Sequence, residues 1–181
     1  MRVPDPLPML RTRRLTLRRP APRDVAARFR MGRDPEIYRM FGADVASLAP
    51  FTMENAEAWI ARIDEHPCAW VIAVEEDAIG EVRIDSPVDA DARASLAIGI
   101  LDRNRIDAGY GAEAIRAAAA FAFDTLQLHR LSVRVLAFNA RAIRAYEKVG
   151  FRREGVERQS ARVGGEWHDD VMMGLLADEL R

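Results

Sequence analysis

The stretch from Arg103 to Leu126, RNRIDAGYGAEAIRAAAAFAFDTL, constrains the fold more than any other part of the chain. It opens as a charged loop carrying Arg103 and Arg105. It then passes Gly109 and Gly111, one residue apart, and runs into an alanine-rich segment. Ile115, Ala119, Ala122 and Leu126 recur at the spacing of one helix face. Just before it, Ser95 to Leu101 reads as a short apolar strand. The unit is strand, glycine loop, helix. The first N–H groups of a helix have no acceptor within it, and the aligned peptide dipoles add partial positive charge there. Such an end suits a phosphate or pyrophosphate, and glycine, lacking a Cβ, lets the ligand approach the backbone.

GYGAEA formally matches G-x-G-x-x-A, the dinucleotide fingerprint. That fingerprint expects an acidic residue about 20 positions on, at the end of the next strand, to hold a ribose. Here the next strand, Leu131 to Val135, runs into Leu136, Ala137, Phe138 and Asn139, with no carboxylate. The G-K-[ST] of a triphosphate loop is also absent. From these residues alone two readings stand: an anion site, or a loop that uses glycine only to turn tightly.

A length of 181 residues fits one domain, 1–181, with a real core. The net charge of −1 gives no bulk field toward nucleic acid or an anionic membrane, so neither is expected as a partner. The basic run from Arg11 to Arg19 reads as a solvated strand edge. The single cysteine, Cys68, excludes a disulfide framework within the chain and favours a cytoplasmic setting. No apolar run approaches the length of a membrane span. Residues 1–9, interrupted by three prolines, lack the apolar region of a secretion signal and read as an irregular lead-in. No H-x-x-x-H or C-x-x-C spacing points to a metal.

In chain order, Leu15 and Leu17 mark a first strand. Arg23 to Met31 follows as a helix with Val25 and Phe29 inward, and Asp34-Pro35 starts a short helix through Met40. Thr52 caps a helix from Met53 to about Glu65. Ala69–Val74 and Ile79–Ile84 form a hairpin, and Ser86 to Arg93 is a polar loop. After the central unit come strand Leu131–Val135, helix Ala140–Lys148 stopped by Gly150, and strands Phe151–Gln159 and Trp167–Leu176. Strands and helices in mixed order give an α+β, mixed α/β class around one central sheet.

From Ser95 onward the chain resembles the GNAT superfamily of acyl-CoA-dependent N-acetyltransferases. The likeness is greatest to the branch holding ribosomal-protein N-terminal and spermidine N-acetyltransferases. It rests on AGYGAEAIRAAAAFAF, LQLHRLSVRVLAFNARAIRAYEKVGFRREG and VGGEWHDD, the second being the most specific. It implies a mixed, mostly antiparallel sheet of about seven strands, split between strands 4 and 5, with acetyl-CoA in the cleft. By match to the family motif, Gly109, Gly111 and the neighbouring Arg105, Ile106, Tyr110 and Ala112 would hold the pyrophosphate. Ile98, Gly99 and Ile100 would pair with the pantetheine arm and offer N–H groups to the thioester carbonyl. Asn139 and Ala142 would contact that arm, and Tyr146 would protonate the departing thiolate. The implied partner is a small-molecule or peptide amine, and a homodimer is compatible. The chain departs from the pattern at Ile106, where Arg or Gln is usual, and at Asp107-Ala108, where Gly and Lys are common.

Read without the resemblance, Tyr146 is a core aromatic at helical spacing and Asn139 a helix cap. The general base stays open. Ser95 and Ala161 stand where relatives carry carboxylates, leaving Glu81, Asp85, His168 and Asp169. Trp167 reads as a packing residue or as a wall of the acceptor pocket. A CoA-binding regulatory module without turnover is the alternative to an enzyme.

Overall fold

The computed structural model describes residues 3–181, and the first two residues of the expected lead-in lie outside them. The strands are β1 Leu10–Arg11, β2 Thr16–Arg18, β3 Ala69–Val74, β4 Asp77–Val88, β5 Arg93–Ile100, β6 Arg130–Leu136, β7 Arg152–Val163 and β8 Glu166–Leu176. The α-helices are α1 Arg23–Met31, α2 Pro35–Met40, α3 Met53–Glu65, α4 Tyr110–Asp124 and α5 Ala140–Val149. All eight strands join one sheet in the order β1-β2-β3-β4-β5-β6-β8-β7. The count exceeds the expected seven because Leu10 and Arg11, just past the lead-in, pair with Leu17 and Thr16. No helix among the described residues is long and apolar enough to cross a membrane.

Every neighbouring pair is antiparallel except β5 and β6. Parallel strands need a long crossover, here the loop and helix α4. β5 and β6 pair only through Arg93–Arg130, Ala94–Leu131 and Ser95–Ser132. Past those residues the two strands part. The split expected between strands 4 and 5 therefore falls between β5 and β6, the added β1 having moved the numbering. Its walls are Leu96–Ile100 and Val133–Leu136.

Helix α4 can lie close to the sheet because its inner face is small. Ala114, Ala118, Ala119 and Ala122 have no exposed surface, and Ile115 has 1%. Trp70 of β3 meets Phe121 of α4 edge-on, with ring centroids 5.2 Å apart. On the opposite face, Trp59 and Ile63 of α3 pack with Ala27 of α1 and with Ala69 and Val71 of β3. The continuous apolar run of β3 is thus covered on both faces. Helix starts follow their caps: Asp34 for α2, a reciprocal Thr52–Asn55 box for α3, and Asn139 for α5.

Three expectations change. The loop from Ser86 to Arg93 is shorter than expected: β4 continues past a bulge to Val88, which meets Arg93, and leaves only a 3₁₀ turn at Asp89–Asp91 and Ala92 between the strands. Helix α1 buries Asp24, Ala27 and Arg28, while Phe29 lies 41% exposed. The basic run is not merely a solvated edge. Arg18 is buried in a two-pronged ion pair with Asp24, at 2.7 and 2.8 Å, and Arg19 ties the end of α3 through the carbonyls of Ile63 and His66. Guanidinium forks can be buried where carboxylate and carbonyl acceptors meet them.

Cys68 is 1% exposed, and burial, with the Asp85 charge behind it, pushes its thiol up to about 12. The thiolate is the reactive form. A disulfide reagent should leave folded protein unlabelled and titrate one thiol after unfolding in urea. Equal labelling rates in both states would show that β3 opens freely.

Candidate functional site

The start of α4 is held by a residue almost a hundred positions away. Gly109 adopts φ +80° as N-cap and its carbonyl accepts from Glu113 N–H at 3.2 Å. The N–H groups of Tyr110, Gly111 and Ala112 precede that bond and have no acceptor within the helix. Arg14 clamps this turn. Its Nη1 donates to the Ala108 carbonyl at 2.9 Å, its Nε to Glu113 at 2.7 Å, and its guanidinium lies over the Tyr110 ring at 4.5 Å. Thr12 Oγ1 donates to the same carboxylate at 2.6 Å. Burial alone would raise the Glu113 carboxyl. Thr12 and Arg14 outweigh that and hold it below its ordinary value. Nothing local in sequence pointed to Arg14, because its partners lie across the fold.

All the residues expected to hold a cofactor line one cavity of about 760 Å³. Ile98, Gly99 and Ile100 form its β5 wall, where the strand edge has left β6. Arg105, Ile106 and Gly109 to Ala112 form the end under α4, and Asn139, Ala142 and Tyr146 come from α5. Arg105 does reach this cavity while Ile106 brings no charge to it, and Asp107, with φ +60°, lies exposed.

The cavity is cationic although the chain is not. Arg83, Arg105, Arg134, Arg141, Arg144, Lys148 and Arg162 line it, against the carboxylates of Asp107 and Asp170. Arg141, Arg144 and Lys148 were missed in sequence, although their spacing along α5 puts them on neighbouring turns of one helix. A wall of this sign, together with unpaired N–H groups at a helix start, can bind a polyanion.

Asn139 is 8% exposed and does two structural jobs. Its Oδ1 accepts from Ala142 N–H at 3.1 Å, and its Nδ2 donates to the Met40 carbonyl at 3.4 Å. Tyr146 is 6% exposed, packs edge-on against Phe151 at 5.2 Å, and burial pushes its phenol well above the ordinary range. Burial thus favours the neutral phenol.

The base candidates separate by position. Glu81 sits opposite Gly99 in the β4–β5 register and borders a smaller, adjoining cavity. Asp85 is bound by His66 and Arg83, at 2.9 and 2.8 Å, and lines neither cavity. Asp169 accepts from Gln159 N–H at 2.8 Å and His168 meets Phe138 edge-on at 4.9 Å, both away from the cavities. Besides the exposed Asp107, the carboxylate that lines the large cavity is Asp170, 3% exposed and bonded to Ser160 at 2.8 Å. Val171 beside it is also buried, so alternation alone does not distinguish the two faces of β8. Trp167 is not part of the core and borders neither cavity. It is 60% exposed beside Arg162.

Residues 14–152 match the family model described as an acetyltransferase (GNAT) domain. Over 117 residues the chain is 29% identical to the probable N-acetyltransferase YjcK of Bacillus subtilis, a match covering 65% of each chain. Among solved structures, the GNAT-family acetyltransferase from Bacillus anthracis is similar with a TM-score of 0.81 at 20% identity. That match covers 95% of this chain and 100% of that one. Mycobacterium smegmatis RimJ in complex with CoA-disulfide is similar with a TM-score of 0.76 at 21% identity, covering 92% and 83%. At these identities the two structures speak for the fold.

Proposed function

The chain belongs to the GNAT acetyltransferase family, and from that premise we propose that it transfers acetyl from acetyl-CoA directly to a primary amine, within a ternary complex. The candidate acceptors are a polyamine, a protein N-terminus, an amino acid and an antibiotic amine. The observation that carries the reading is the opening between β5 and β6, which ends on the unpaired N–H groups of α4 and is ringed by seven cationic side chains. That arrangement fits the phosphates of a CoA molecule, and the neighbour RimJ was solved with CoA-disulfide.

Bound acetyl-CoA supplies an activated thioester, whose C–S bond is exchanged for a C–N bond to the acceptor. The protein's part is to bind, orient and manage protons. Tyr110, Gly111 and Ala112 offer backbone N–H groups to the pyrophosphate, and Arg105 adds charge beside them. Arg14 and Glu113 keep that turn in place. The β5 edge at Ile98–Ile100 aligns the pantetheine arm and turns N–H donors toward the carbonyl oxygen, where developing charge is best stabilised. Asn139 and Ala142 border the same arm. Tyr146, neutral and buried, gives its proton to the leaving sulfur, while the proton of the amine leaves through water. Holding amine and thioester together supplies much of the rate. No acyl-enzyme is needed, and Cys68 borders neither cavity. Its single reduced thiol fits work in the cytoplasm.

Acetyl-CoA at about 100 times its Kd should stabilise the fold by about 2.7 kcal/mol. NAD should leave the melting temperature unchanged. With an amine panel, free CoA thiol should accumulate steadily. A shift with NAD instead would restore the dinucleotide reading of GYGAEA, and a shift with acetyl-CoA without thiol release would favour a regulatory CoA-binding module.

A further inference from the structure

A second cavity of about 210 Å³ adjoins the first. The two share Arg83, Ala97, Ile98 and Gly99 of the sheet, together with Phe41, so they meet over the free edge of β5. Its other wall comes from the helices, through Arg28, Tyr38, Trp59 and Arg62.

Arg28 is the unusual residue there. It is 2% exposed and has no carboxylate bonded to it. Its Nη1 donates to the Gly32 carbonyl at 2.9 Å and its Nη2 to the Tyr38 hydroxyl at 2.5 Å, while Nε has no partner. The Phe51 ring covers the guanidinium at 4.0 Å. A guanidinium has five N–H donors, so most of this one's capacity is unused. Trp59 Nε1 in the same wall, on a ring whose centroid lies 5.7 Å from the guanidinium carbon, is a second buried donor without an acceptor. Buried donors are nearly always paired, and a buried cation without a counter-charge is costlier still. The cavity's one carboxylate, Glu81, favours the Arg28 charge through space but is not bonded to it. It accepts from Arg62 at 3.0 and 2.8 Å and from Arg83 at 3.1 Å. Three guanidiniums and one carboxylate leave the cavity positive.

Resting on the acetyl-transfer reading, we infer that this cavity receives the acceptor, and that the acceptor is a small amine carrying its own carboxylate, held by Arg28 and Trp59. A polyamine would bring cationic nitrogens against three guanidiniums. A carboxylate matches the fork of donors on Arg28. The volume lies below that of common ligand pockets, about 300–1,000 Å³, which suits a free amino acid.

The test follows CoA thiol release with acetyl-CoA and the L-amino acids, each beside its α-amide, with spermidine as the cationic arm. The best acid should exceed its amide by about 10²-fold in kcat/KM, mostly through KM, since a site built to hydrogen-bond a group rejects the analogue lacking it. Trp59→Phe, which keeps a ring, should narrow that ratio by about tenfold. Arg28→Met should remove it, with Arg28→Lys restoring part. If Arg28→Met fails to fold, the wild-type ratio and Trp59→Phe still decide. Equal rates for acids and amides, or a best rate with spermidine, overturn the acceptor assignment alone. No thiol release from any amine, with acetyl-CoA still raising the melting temperature, overturns the transferase reading and this inference with it.

Discussion

Gly111→Asp should melt like the wild-type protein on its own and lose the whole stabilisation by acetyl-CoA. The position can accept a side chain. Gly111 has no positive φ, and a Cβ built there meets only Ile100 Cγ1, at 3.9 Å. An aspartate in the first turn also complements the helix dipole, worth about 0.3–1 kcal/mol. The carboxylate would nevertheless stand among the N–H groups proposed to hold the pyrophosphate. The shift at stake is about 2.7 kcal/mol at 100 Kd, or about 5–10 °C for a chain of this size. Differential scanning fluorimetry with and without acetyl-CoA measures it. An unchanged shift in a folded Gly111→Asp protein would mean that the phosphates lie elsewhere.

Tyr146→Phe should lower kcat by about 10²-fold, the lower end of what general acid catalysis contributes, since water can partly replace the phenol. The ring's contact with Phe151 should survive, because only the hydroxyl is removed. A proton needed only as the thiolate leaves acts in the transition state, so kcat and kcat/KM should fall together. The phenol is raised above its ordinary value by burial. Deprotonation, which would disable the acid, is thereby moved to higher pH. The kcat profile should show no alkaline fall from this group below about pH 10. Steady-state kinetics on the best amine, in wild type and variant, measure both. A Tyr146→Phe enzyme with wild-type kcat, where chemistry limits the rate, would remove Tyr146 from the mechanism.

The features that could be read from sequence were local ones. The glycine pair and the 3.6-residue spacing from Ile115 to Leu126 define α4 within a few turns, and Ile115, Ala119, Ala122 and Leu126 are all buried as that spacing requires. Asn139 and Gly150 bracket α5, since each acts on backbone groups only a few residues away. The motif from Asn139 to Phe151 named the family before any contact was known. The residues assigned to the cofactor by that motif all border one cavity, although the pose of the ligand within it rests on the proposal above.

Tertiary structure decided what depends on pairs distant in sequence. That β5 and β6 part beyond Ser95 and Ser132 shows only in the pairing of the two strands, whose partnered residues lie more than thirty positions apart in the chain. Arg14 is one arginine in a basic run until the fold brings Glu113 and Ala108 to it. Asp170, rather than Asp169, faces the cavity because neighbouring side chains of a strand point to opposite faces, and the pairing of β8 with β6 sets which of those faces meets the opening. Arg28 looks like an ordinary helix cation, yet the fold buries it with no carboxylate bonded to it. Periodicity and caps are short-range and belong to the chain itself. Burial of a charge and the opening of a sheet are through-space quantities, fixed only when elements from Thr12 to Asp170 have met.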